Sequence, residues 1–160
     1  MLGFLLLCEV VYTQHEIKPL TLHCKINVID MNISILVLSA PYSSQGAHSA
    51  FRYTQAALKS GNKIHRVFFY QDAVHAGSCL ATPPQDEFDL YTAWQALKQD
   101  YDLDLVICIA AAARRGLINE QEATRHNKLS HNVSEEFELS GLGQLVEACA
   151  MSDRIITFGY

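Results

Sequence analysis

Apolar and polar positions along this chain fall into blocks, and the blocks switch period in a regular order. Residues 33–39 (Ile-Ser-Ile-Leu-Val-Leu-Ser) form a short uncharged run rich in β-branched side chains. That is the pattern of a strand buried on both faces of a parallel sheet. A loop punctuated by Pro41 and Gly46 follows. Residues 47–60 then place Ala50, Tyr53, Ala57 and Leu58 at helical spacing and stop at Gly61-Asn62, a helix C-terminus signal. Residues 64–70 (Ile-His-Arg-Val-Phe-Phe-Tyr) read as a second strand. Residues 71–85 read as a long loop containing Gly77, Cys79 and Pro83-Pro84, and loops of such length are often functional. Asp86 or Asp89 caps a helix over residues 87–99, with Phe88, Tyr91, Trp94 and Leu97 as its apolar stripe.

Residues 103–110 form the third strand, which turns through small residues into Arg114-Arg115 and closes at Gly116. Asn119 caps a short helix to Arg125, with acidic residues in its first turn. Residues 126–134 are polar and loop-like, 137–139 a short strand, 140–151 a helix entered through Ser140-Gly141-Leu142-Gly143, and 154–158 a final strand. Regular strand–helix alternation predicts an α/β domain of three α/β/α layers, built on a mainly parallel sheet of about five strands.

Residues 1–30 share neither period. Met1–Leu7 is apolar but lacks a positive leading segment and is too short to span a bilayer. This stretch is read as an extension, from an upstream start or as a poorly ordered arm, with the domain over residues 31–160. Apolar residues at 49% and charged ones at 18% argue for a compact soluble body. A formal net charge of −5 leaves no electrostatic footprint for direct nucleic-acid binding.

Five cysteines (Cys8, Cys24, Cys79, Cys108, Cys149) are widely spaced and form neither a CxxC nor a Cys/His ligand pair. They read as free thiols, not as disulfides or a zinc site. Cys108 stands near the carboxyl end of the third strand, the sheet edge at which open α/β folds bind ligands. The pattern leaves two readings open: a small hydrophobe of the core, or a nucleophile whose thiolate is favoured by the following helix and by Arg114 and Arg115. Cys79 reads as a bystander thiol on a loop and Cys149 as packing. No histidine spacing suggests a metal, and His48 and His75 are the weak candidates for a partner of Cys108. Ser140–Gly143 fits neither dinucleotide nor P-loop spacing.

Five ordered blocks carry a resemblance. They are Ser49-Ala50-Phe51; Val67-Phe68-Phe69-Tyr70; Asp86-Glu87-Phe88-Asp89-Leu90 with Ala93-Trp94-Gln95; Cys108-Ile109-Ala110-Ala111-Ala112 with Arg114-Arg115-Gly116; and Leu139-Ser140-Gly141-Leu142-Gly143. Through them, residues 31–158 resemble the DsrE-like sulfurtransferase family, on the side that serves the Tus sulfur relay. The resemblance implies a cytoplasmic subunit that joins TusB and TusC in a heterohexamer, takes persulfide sulfur from TusA and passes it to TusE. The endpoint it implies is 2-thiolation of the tRNA wobble uridine. It also implies Cys108 as the residue that carries sulfur, with no metal or organic cofactor. Two alternatives stand beside this: a DsrE-type subunit of dissimilatory sulfur oxidation, and a structural subunit in which Cys108 is merely buried.

Overall fold

The computed structural model describes residues 30–159; residues 1–29 of the predicted extension, with Cys8 and Cys24, lie outside the described residues. Eleven elements follow one another. The strands are β1 (Asn32–Val37), β2 (Lys63–Phe69), β3 (Leu105–Cys108), β4 (Glu138–Ser140) and β5 (Arg154–Phe158). The α-helices are α1 (Gln45–Lys59), α2 (Leu90–Tyr101), α3 (Ile109–Ala113), α4 (Glu120–Arg125) and α5 (Gly143–Met151), with a 3₁₀ helix over Gln71–Gly77.

The strands form one sheet in the order β4-β3-β2-β1-β5, and every pairing is parallel. The chain therefore steps outward from β1 to β4 and then returns to lay β5 against the free side of β1. Parallel crossovers are right-handed, so the outward steps keep their helices on one face and the return puts its helix on the other. Side chains confirm the three layers. The Phe69 ring meets Trp94 of α2 at 5.4 Å. Arg66, three residues earlier and so on the opposite face, bonds to Gln144 and Glu147 of α5.

The core lies between the sheet and the α1/α2 pair. Trp94 meets Phe51 of α1 edge-on at 5.2 Å, and Phe69 meets Phe137 at 5.6 Å. Gly77, at the end of the 3₁₀ helix, completes this packing. A Cβ there would overlap Cδ1 of Ile107, so that side chain would have to shift.

Three boundaries differ from the sequence reading. β3 ends at Cys108, two residues early, because the alanine-rich run after it winds into α3. The segment 71–85 is not all loop, since its first half is the 3₁₀ helix. Asp89 caps α2, accepting from the Thr92 N–H at 3.2 Å. Phe88 therefore precedes that helix, half-exposed, with its ring against Phe51 at 5.5 Å.

Candidate functional site: Cys108 at the carboxyl edge of the sheet

β3 is buried along its whole length. Its last residue, Cys108, is also the N-cap residue of α3, with extended backbone (φ −64°, ψ 112°), so the thiol sits beside the amide end of that helix. The neighbouring strands put Phe69, the register partner of Ile107, on one side of this edge, and Ser140, the register partner of Cys108, on the other. Strand order reverses between β1 and β5, which puts Cys108 two strands from that crevice, about 10 Å along the edge.

The thiol is enclosed. Cys108 is 1% exposed, whereas Cys79 and Cys149 are both exposed. Cys79 thus sits as expected. Cys149 does not pack: in α5 only Ala148 is buried, and the cysteine faces outward.

The two arginines differ in their surroundings. Arg114 is the C-cap residue of α3, at the far end from Cys108, and is exposed. Arg115 binds Asp72 of the 3₁₀ helix at 2.8 Å and the Ala111 carbonyl at 3.1 Å. It anchors α3 to the 3₁₀ helix. Gly116 closes the turn at φ +73°, a conformation in which a side chain would be strained.

Neither candidate histidine hydrogen-bonds Cys108. His48 lies in the first turn of α1 against the Phe88 ring at 5.7 Å, and His75 is exposed on the 3₁₀ helix that packs on α3. Among the described residues no group of three His, Cys, Asp or Glu side chains could hold a metal ion. No helix of the described residues is long and apolar enough to cross a membrane.

The sequence marks residues 126–134 only as a polar loop. In the structure this loop, the end of α3 and Leu80 enclose a groove of about 990 Å³. The available signal was charge: no Asp or Glu occurs within residues 105–119 or 123–134.

With this geometry the likeness to known proteins becomes specific. The model of the DsrE/DsrF-like family matches residues 31–158. This chain belongs to the DsrE/DsrF-like family. A protein of Pseudomonas aeruginosa named sulfurtransferase TusD homolog is 46% identical over 129 residues, covering 81% of this chain and 98% of that one. The sulfurtransferase TusD of Photorhabdus laumondii is 43% identical over 128 residues, 80% of this chain and 98% of its own. A putative sulfurtransferase DsrE of Allochromatium vinosum is 44% identical over 129 residues, 81% and 99% of the two chains. The crystal structure of the YchN protein of E. coli superposes with a TM-score of 0.64 at 19% identity, over 80% of this chain and 99% of that one. That likeness speaks for the fold alone.

Proposed function

We propose that this chain is the sulfur-carrying subunit of a Tus-type relay, with residues 31–160 as its working domain and Cys108 as the residue loaded. The observation that carries the reading is the 43–46% identity to proteins named sulfurtransferase TusD over nearly their whole length. Its structural support is the place of Cys108. Among the described residues it is the one cysteine that ends a strand at the carboxyl edge of the sheet.

The chemistry balances without an external oxidant or reductant. The Cys108 thiolate attacks the terminal sulfur of a donor persulfide, R–S–SH. The donor S–S bond breaks, a new S–S bond forms as Cys108–S–SH, and the donor leaves as thiolate. The acceptor thiolate then repeats the exchange on the sulfur held by Cys108. In this reading TusB and TusC are the assembly partners, TusA the donor and TusE the acceptor, in the cytoplasm. The product is 2-thiolated wobble uridine, made by a downstream enzyme that handles the tRNA itself. Burial of Cys108 adds a requirement: a donor reaches the sulfur only when a covering segment gives way.

The test uses purified complex, a cysteine desulfurase, cysteine and TusA, with bound sulfur mapped by mass spectrometry. A persulfide on Cys108, lost in Cys108→Ser but kept in Cys79→Ser, is expected. Sulfur on Cys79 or on no residue would leave Cys108 a structural residue.

The 44% identity to the DsrE of Allochromatium vinosum favours a second reading, a relay that feeds sulfur oxidation. Deleting the gene separates the two. Loss of tRNA 2-thiouridine belongs to the first reading, and normal tRNA with impaired sulfur oxidation to the second.

A further inference from the structure

The groove beside α3 is built, not incidental. Asn132 ties its two walls together: its Oδ1 accepts from the Ile118 N–H at 3.0 Å, and its Nδ2 donates to the Gly116 carbonyl at 3.1 Å. Its own carbonyl takes the Cys79 N–H at 2.9 Å, which brings the segment carrying Leu80 to the rim. Two large apolar side chains stand open there, Leu80 at 68% exposure and Leu129 fully exposed. Between them the lining includes Lys128, His126 and His131, and no carboxylate lines the space.

This polarity runs against a protein of net charge −5. The segments 113–118 and 125–132 carry Arg114, Arg115, Arg125 and Lys128. Arg115 is paired with Asp72, and both Arg125 and the lining His126 stand against Glu122, but Arg114 and Lys128 make no ion pair among the described residues. The groove also adjoins the sulfur site. Ala113, on its floor, is the last residue of the helix that Cys108 begins, and five helical residues span about 7.5 Å.

We propose that this groove is the docking site of the protein partner with which Cys108 exchanges sulfur, and that it takes an acidic segment whose carboxylates flank an apolar side chain. The partner's identity rests on the preceding reading; the surface and its chemistry rest on the groove alone. The unpaired Lys128 set among exposed leucines, with Arg114 close by in the chain, suits a segment that is charged outside and apolar within, and such complementarity fixes register and speeds encounter. RNA fits less well. No Phe, Tyr or Trp lines the groove to stack on bases, and the overall negative charge repels a polyanion.

The probe is a fluorescein-labelled peptide of about ten residues, Asp and Glu around a central leucine, read by anisotropy on the full chain. Binding at low salt is expected, weakened about fivefold to tenfold on going to about 0.3 M salt. Lys128→Glu and Leu129→Ser should each weaken it about fivefold or more, and a lysine version of the peptide should not bind. The proposal is overturned if the acidic peptide fails to bind or if both variants bind it as the parent does. It is equally overturned if a single-stranded RNA displaces the peptide, or if Leu129→Ser abolishes a dimer seen by sedimentation, which would make a second copy the occupant. Anisotropy involves no sulfur step. Loading of Cys108 by inorganic polysulfide, followed by mass spectrometry, tests the preceding reading separately, so the two can fail independently.

Discussion

Arg66 offers a measurable test of what holds the second helical layer in place. The residue is 8% exposed and its guanidinium makes three bonds: to Asp104 at 2.6 Å, to the Gln144 carbonyl at 2.8 Å and to Glu147 at 2.8 Å. It thereby joins β2 to the start of β3 and fastens α5, which otherwise buries only Ala148. Arg66→Met keeps the aliphatic stem and removes the charge. Asp104 is 34% exposed and regains water when its partner leaves, so that pair counts for about 1 kcal/mol, well below a fully buried one. The orphaned Gln144 carbonyl adds about 1 kcal/mol. Glu147 is at the surface, where solvent screening keeps its share small. The expected loss is therefore about 2 kcal/mol, or about 6–10 °C in Tm for a domain of this size. Urea titration should show a lower midpoint at unchanged slope. The bond from Arg66, and then its charge, hold the Glu147 carboxyl below the usual carboxylate range. Stability from a depressed carboxyl is complete above its unfolded pKa and is lost as pH falls through the folded one. The gap between parent and variant should thus narrow below about pH 4. A loss under about 0.5 kcal/mol at pH 7, or a gap that widens in acid, would refute the reasoning.

Two further substitutions probe the core and a cap. Trp94→Ala removes a ring that is 1% exposed and touches both Phe51 and Phe69, so a loss of about 3–5 kcal/mol in urea midpoint analysis is expected. Asp89→Ala removes the acceptor of the Thr92 N–H and hydroxyl and should cost about 1 kcal/mol, with amide exchange faster only in the first turn of α2.

Much of this architecture was legible because buried parallel strands announce themselves. β1 and β2 are short apolar runs between punctuation, with limits one or two residues from the reading, and the partly exposed β5 has the limits read for it. The Asn119 cap was equally plain, since it accepts from the Glu122 N–H at 3.0 Å as its spacing implies. The end of β3 was less so: Ile109–Ala113 is as apolar as the strand before it, and only alanine's helix propensity separates them. α5 misled for the opposite reason. Its sequence is apolar on most sides, so no stripe marks the face turned to the sheet, and Cys149 ended outside. Long-range pairs left no trace at all. That Arg115 serves Asp72, 43 residues away, follows from packing alone.

Labelling kinetics measure how an enclosed thiol is reached. Cys79 and Cys149 should react with a disulfide reagent at the rate of free thiols, and Cys108 only through opening. α3 is five residues long, and its polar fastening to the 3₁₀ helix is the half-exposed Arg115–Asp72 pair, so a local opening is expected to be cheaper than global unfolding. An opening free energy of about 3 kcal/mol slows labelling roughly 150-fold. The route shows in the denaturant response: local opening exposes little surface and leaves the rate nearly flat in dilute urea, whereas global unfolding raises it steeply. Asp72→Asn, by loosening the clasp, should speed Cys108 several-fold and leave Cys149 unchanged. Labelling of Cys108 as fast as Cys79 would contradict the burial. A steep urea dependence with no effect of Asp72→Asn would mean that the helix is no gate, and a carrier would then need to meet the thiol by a movement elsewhere in the edge.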